Sequence, residues 1–235
     1  MRSLAPLVAC VSLLTAIPAE GSRSLAPVGN FACYRAAFTE FATTKISVRD
    51  QFGTRIAIVG RPTDLCAPAA VNGRPIFDSV AHLTCHPIKL ALKGSARISV
   101  RTQQFGVLTA TVVRASELCV PSSTATGGAL RPPPKTLDSF VCYSAVPLAT
   151  FATRIAALSD DFAKTRDAVL RPTGLCLPAT VGTSRRLQSQ LLACYELKSA
   201  AKGSGPVIAR SKLGLLQASL GARNQLCAPS TKSPP

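Results

Sequence analysis

The sequence predicts a mainly β protein built from four short disulfide-linked β repeats, arranged as two tandem two-repeat modules. Three observations predict it: a fourfold internal repeat, eight cysteines placed by that repeat, and period-two alternation between them. Each copy opens with a cysteine followed by a ring, at Cys33-Tyr34, Cys85-His86, Cys142-Tyr143 and Cys194-Tyr195. Each closes with Leu-Cys-x-Pro, at Cys66, Cys119, Cys176 and Cys227, with Pro68, Pro121, Pro178 and Pro229 two places on. Between them stands an apolar residue before a small one: Phe52-Gly53, Phe105-Gly106, Phe162-Ala163 and Leu213-Gly214. The interval from that apolar residue to the closing cysteine is 14 in every copy (52 to 66, 105 to 119, 162 to 176, 213 to 227), a regularity that chance does not readily produce.

The copies alternate in kind. Copies one and three share Phe-Ala-Thr, at Phe41 to Thr43 and Phe151 to Thr153, while copies two and four share Lys-Gly-Ser, at Lys93 to Ser95 and Lys202 to Ser204. Opening cysteines one and three lie 109 apart (33 to 142), as do two and four (85 to 194), so a two-copy module was duplicated whole. The expected organisation is a first module over 28–123, a linker over 124–136 and a second module over 137–230. A Gly pair followed by a Pro run, Gly127-Gly128 and Pro132-Pro133-Pro134, supplies the joint.

In chain order, Ile46-Ser47-Val48-Arg49 alternates apolar and polar, and Ile98-Ser99-Val100-Arg101 repeats it letter for letter, the pattern of a half-buried strand. β-prone residues follow the Phe-Gly step at Arg55 to Val59 and Leu108 to Val113. Each copy therefore reads as an opening strand, then a hairpin ending near the closing cysteine. Asn72-Gly73 marks a turn between copies one and two. The alanine-rich stretch Ile155 to Leu170 has helical propensity, but its place in the repeat argues strand; a few helical turns are expected somewhere in the chain.

Residues 1–19 have the anatomy of a secretory signal peptide: Arg2, an apolar run from Leu4 to Ile17, and small residues near Ala19. The expected location is secreted, periplasmic or at the cell surface. Leu7-Val8-Ala9-Cys10 also looks like a lipoprotein cleavage box, but loss of Cys10 with the leader is the better reading because the apolar region before it is cramped. The mature chain has no stretch apolar enough to span a bilayer. Its eight cysteines imply a disulfide framework. The simplest pairing is within copies, Cys33 with Cys66, Cys85 with Cys119, Cys142 with Cys176 and Cys194 with Cys227; pairing between neighbouring copies satisfies the same symmetry.

The formal charge is +16, leaving +15 when Arg2 is removed. Arg61, Arg114 and Arg171 each stand five places before a closing cysteine, so part of this charge belongs to the repeat. Such a field favours an anionic cell-surface polymer and weakens with salt. Nucleic acid is not expected, since aromatic interleaving and any known binding module are missing. Hydrophobic residues make up 47% with alanine prominent and no tryptophan, so cross-links carry more of the stability than in an aromatic-rich domain.

Little in the chain points to catalysis, a metal or another cofactor. His82 and His86 flank Cys85, but Cys85 is a repeat cysteine and His86 stands where other copies carry tyrosine, so both read as structural rather than as metal ligands. No Gly-x-Ser-x-Gly occurs. Asp50 and the pair Asp160-Asp161 fall near hairpin bends, where carboxylates commonly serve turns. The Lys-Gly-Ser elements have the wrong order for a phosphate loop and read as turns. Tyr34, Tyr143 and Tyr195, beside half-cystines, are expected to pack over the disulfides rather than stack on a ligand.

Phe31 to Tyr34, Asp50 to Gly53, His82 to Cys85 and the four Leu-Cys-x-Pro closures resemble a duplicated cysteine-flanked domain of unknown function from exported bacterial proteins. The resemblance covers nearly all of the mature chain and implies export and repetition, with no catalytic residue. Copy four departs from it, with Leu213 for phenylalanine. The expected function is an exported non-enzymatic structural or binding protein associated with a polyanionic surface. The alternative is an extracytoplasmic hydrolase-like enzyme with its site between modules, which needs titratable groups converging in a cleft.

Overall fold

The computed structural model describes residues 27–91, 95–127, 129–183 and 189–233; the leader, Cys10 and Lys93 lie outside them. Copy one supplies strands β1 (Asn30–Phe38), β2 (Thr44–Asp50), β3 (Gly53–Val59) and β4 (Asp64–Val71). Copy two supplies β5 (His82–Lys89), β6 (Ala96–Thr102) and β7 (Gly106–Ala125). Copy three supplies β8 (Ser139–Pro147), β9 (Arg154–Ser159) and β10 (Lys164–Val181), and copy four β11 (Leu191–Lys198), β12 (Pro206–Ser211) and β13 (Gly214–Lys232). In copies two to four, the return arm of the hairpin and the closing strand are one long strand. In copy one, Gly60-Arg61-Pro62-Thr63 interrupts it.

The protein is mainly β, as its alternation dictates. The expected helical turns do not occur among the described residues: Ile155 to Leu170 forms β9, a turn and the start of β10, because six paired positions from Lys164↔Ser159 to Val169↔Arg154 outweigh alanine's helical propensity. Asn72 (φ 51°) and Gly73 (φ 78°) make the expected turn, both in the left-handed region.

Eight strands close into a ring, every neighbour antiparallel: β1, β4, β5, β7, β8, β10, β11, β13 and back to β1. Thus the two modules close on each other into one barrel. Within each copy the two cysteines lie directly opposite, as in Cys33↔Cys66 and Cys85↔Cys119. Between copies the closing cysteine faces the residue two before the next opening one: Cys66↔Leu83, Cys119↔Phe140, Cys176↔Leu192 and Cys227↔Phe31. Two residues of displacement at each of four junctions tilts the strands and leaves an interior that side chains alone can fill.

That interior is layered. Successive side chains point to opposite faces of a strand, so the motif Leu-Cys-x-Pro sends Leu out, Cys in, the next residue out and Pro in. Phe31, Leu83, Phe140 and Leu192 form the lower apolar layer with the closing prolines, their register partners Pro68, Pro121, Pro178 and Pro229. The half-cystines form the layer above. By continuation of the register, each proline also faces the residue just before the next opening strand, where the ladder has ended and no N–H is required.

The hairpins leave the barrel at its upper rim and wrap its outer wall. Each hairpin pairs by its return arm with the next copy's opening strand, and by its first arm with the end of the closing strand two copies on. Hence β2 pairs β10, β6 pairs β13, β9 pairs β4 and β12 pairs β7. The outward leucines of the motif, Leu65, Leu118, Leu175 and Leu226, are fully buried in the core between wall and arms.

Candidate functional site

The expected disulfides are all present in the within-copy pairing, Cys33–Cys66, Cys85–Cys119, Cys142–Cys176 and Cys194–Cys227. Such bonds belong in an oxidising environment. They also make one continuous sulfur layer, because Sγ atoms of neighbouring disulfides touch: Cys66 to Cys85 at 3.7 Å, Cys119 to Cys142 at 3.7 Å and Cys176 to Cys194 at 3.5 Å. Two groups of potential metal ligands occur here, Cys176 with Cys194 and Cys227, and Glu117 with Cys119 and Cys142. Their sulfurs are tied in disulfides and supply no thiolate.

Above the sulfurs the barrel opens in a polar mouth. Arg35 Nη1 donates to Asp64 Oδ2 at 3.0 Å, Thr63 Oγ1 to the same oxygen at 2.7 Å, and Asn224 Nδ2 to Oδ1 at 3.2 Å. Glu117 projects inward above Cys119. Burial, reinforced by the Asp64 charge and opposed by Arg35, pushes its carboxyl up to about 7. Around the outside of this rim stand Arg61, Arg114 and Arg171, all exposed. Strand bulges between Val112 and Glu117 and between Val169 and Gly174 re-aim the chain at the latter two. Arg171 meets Glu196 at 2.7 Å, whereas Arg61 and Arg114 meet no carboxylate among the described residues.

The tyrosines are buried as expected, but not over the disulfides. Cysteine and the next residue point to opposite faces, so Tyr34, Tyr143 and Tyr195 face out, beneath the hairpin two copies on. Phe162 meets Tyr34 edge-on at 5.4 Å, Phe52 meets Tyr143 at 5.2 Å, and Phe105 meets Tyr195 at 4.5 Å. Asp50 and Asp160 cap their turns, accepting from Phe52 N and Phe162 N at 2.8 Å. They also reach the phenols: Tyr143 donates to Asp50, and Tyr34 lies 3.0 Å from Asp160. An arginine completes each group, Arg55 for Asp50 and Arg223 for Asp160 and Asp167. Repeat reasoning missed Arg223: nothing at the equivalent positions of other copies announces it. Burial raises the Tyr34 and Tyr143 hydroxyls well above their ordinary range.

His86 takes the tyrosine's place in copy two. It is fully buried, Nδ1 lies 2.9 Å from the Gly60 carbonyl, and Nε2 has no hydrogen-bond partner among the described residues. Burial pulls its pKa down. His82 instead borders an open cavity of about 420 Å³ between the modules, with Thr124, Arg131, Asp161 and Phe162 on its walls. His82 Nε2 lies 3.0 Å from Asp161 Oδ2 and 3.2 Å from Thr124 Oγ1, while Nδ1 faces the Val80 carbonyl at 3.3 Å. A nucleophile relay needs hydroxyl and carboxylate on opposite ring nitrogens; here both share one. Gly203 lies tight against β13: its N–H donates to the Gly221 carbonyl at 3.0 Å, and a Cβ there would fall 2.3 Å from Leu220 Cβ.

The fold and these groups define a class: a closed antiparallel barrel of four stapled repeats, each roofed by a hairpin from the opposite copy. No helix among the described residues is long and apolar enough to cross a membrane. Comparison with family models, with curated proteins and with solved structures finds no match.

Proposed function

We propose that the protein is an exported, non-enzymatic binding protein that associates with an anionic cell-surface polymer through the arginine collar of its barrel rim. The observation that carries this reading is the placement of Arg61, Arg114 and Arg171 at one repeat position, exposed at a common level of the barrel, on a chain of net charge +16. Cations spread around one rim, of which Arg61 and Arg114 meet no carboxylate among the described residues and Arg171 shares Glu196, suit a repeating polyanion better than a compact ligand, and their attraction falls as salt screens it. The arrangement around His82 supports the non-enzymatic side. Both ring nitrogens are engaged, and its hydroxyl and carboxylate neighbours converge on the same one.

The test compares retention on a heparin column of the parent, of the triple variant Arg61→Gln, Arg114→Gln, Arg171→Gln, and of a charge-matched control, Arg49→Gln, Arg166→Gln, Arg210→Gln, on the exposed hairpin arms. The rim variant should elute at distinctly lower salt than the control. Equal elution of the two variants removes the collar.

A further inference from the structure

The sulfur layer does more than staple four seams. Three of the four closing cysteines already touch the opening cysteine of the next disulfide, at 3.7, 3.7 and 3.5 Å for Cys66 to Cys85, Cys119 to Cys142 and Cys176 to Cys194. These contacts all run in one direction around the barrel, and among the described residues the junction from Cys227 to Cys33 has none. A thiolate attacks one sulfur of a disulfide and expels the other. Here the attacked sulfur is always an opening cysteine, so the expelled one is always the closing cysteine that touches the next disulfide.

A buried thiol also needs a proton acceptor, since apolar surroundings disfavour the thiolate. One stands in place: a Glu117 carboxylate oxygen lies within 4.8 Å of both Cys119 and Cys142 sulfurs. Its elevated pKa keeps it able to take and return a proton near neutral pH.

We propose that the eight half-cystines form an intramolecular thiol–disulfide relay, in which a thiol produced at one seam migrates around the folded barrel, with Glu117 as its proton acceptor and donor. A thiolate on Cys66 attacks Cys85 Sγ; the Cys66–Cys85 bond forms, Cys85–Cys119 breaks, and the electron pair leaves on Cys119. Cys119 then attacks Cys142 and releases Cys176, which attacks Cys194 and releases Cys227. Each step conserves one thiol and the number of disulfides, so no oxidant or reductant is consumed. Entry of the first thiol requires a small thiol reductant, and the polar mouth is the path to the layer. The relay converts within-copy pairing into between-copy pairing, and it makes the barrel respond as one unit to reduction of any seam.

Direction around the ring yields a parity rule that no random scrambling shares. Cys33→Ser leaves Cys66 as a free thiol without any reductant. After equilibration of the folded variant, acid quench and alkylation under denaturing conditions, peptide mapping should find label on Cys66, Cys119, Cys176 and Cys227 only. Cys227→Ser leaves Cys194 and runs the relay backwards, so label should appear on Cys194, Cys142, Cys85 and Cys33 only. Circular dichroism and size exclusion before quenching establish that each variant is folded, and the mirror pair guards against one failing to fold. Label confined to Cys66 in the first variant and Cys194 in the second overturns the relay, as does label on both classes in one variant. Glu117→Gln added to either variant should slow migration about 100-fold, at the lower end of what a positioned general base contributes. An unchanged rate overturns the assignment of Glu117.

Discussion

The junction between copy-three hairpin and copy-one barrel wall differs in chemistry from the same junction between copies two and four, although the backbone is alike. At the first, Tyr34 lies in a buried ionic cluster: Arg223 Nη2 meets Asp160 at 2.8 Å, Nη1 meets Asp167 at 2.9 Å, and none of the three charged side chains is exposed. At the second, Tyr195 has Thr102 as its polar partner and packs against Phe105 and Phe151, with no buried charge among the described residues bearing on it and only the exposed Arg154 nearby; burial carries its hydroxyl up to about 12. Thr102 caps the turn there as Asp160 does in copy three, taking the Phe105 N–H at 2.9 Å. The architecture therefore needs a turn cap and an aromatic contact, not a charge. What the charge adds is a penalty for any other partner, because a buried carboxylate that loses its arginine has no water to turn to.

The largest way to break the comparison is Arg223→Met, which strands Asp160 and Asp167. Urea unfolding should show a loss of about 3–5 kcal/mol. Arg55→Met tests the partly solvated version of the same cluster and should cost less, about 2 kcal/mol, since Arg55 keeps 18% of its side-chain surface. Next come the phenols. Tyr143→Phe removes a hydrogen bond to a carboxylate, worth about 1.5–3 kcal/mol, and Tyr195→Phe only one to a neutral hydroxyl, about 0.5–1.5 kcal/mol; equal losses would mean that the charge is irrelevant. Gly203→Ala should destabilise by about 1–3 kcal/mol through its clash with Leu220, with no effect on any of these clusters.

The remaining effects are read in pH. Glu117 titrates higher in the folded chain, about 7 against 4.5, so folding binds a proton between those values: its stabilising contribution is whole below about 4.5 and is lost as pH rises through 7. His86 has the opposite sign. Its folded value is held below 6.5, the unfolded chain takes the proton first, and stability falls as pH drops below 6.5. Glu117→Gln should therefore narrow the gap between urea midpoints at pH 5 and pH 8, and His86→Phe should flatten the decline below pH 6.5.

Much of this was legible in the chain. The equal intervals announced four equivalent units and made within-copy pairing the simpler of two symmetric schemes; the register that sets each copy's cysteines directly opposite one another decided between them. Asp50 and Asp160 were legible as turn residues because their effect is local, on an N–H two residues away. Their second role, holding Tyr143 and Tyr34, was not, since it joins residues 93 and 126 places apart. The tyrosines show the same limit. Adjacency to cysteine suggested that they cover sulfur, whereas alternation along the strand sends the two side chains to opposite faces.

By itself the sequence determined the number of units, their strands and the oxidised state their cysteines require, because each follows from local alternation and strict spacing. Only the tertiary structure decided that the units close head to tail into one barrel, that each hairpin roofs the opposite copy, and that four disulfides meet as one sulfur layer. Closure depends on the small register displacement at each junction, a sum over the whole ring that no single repeat contains.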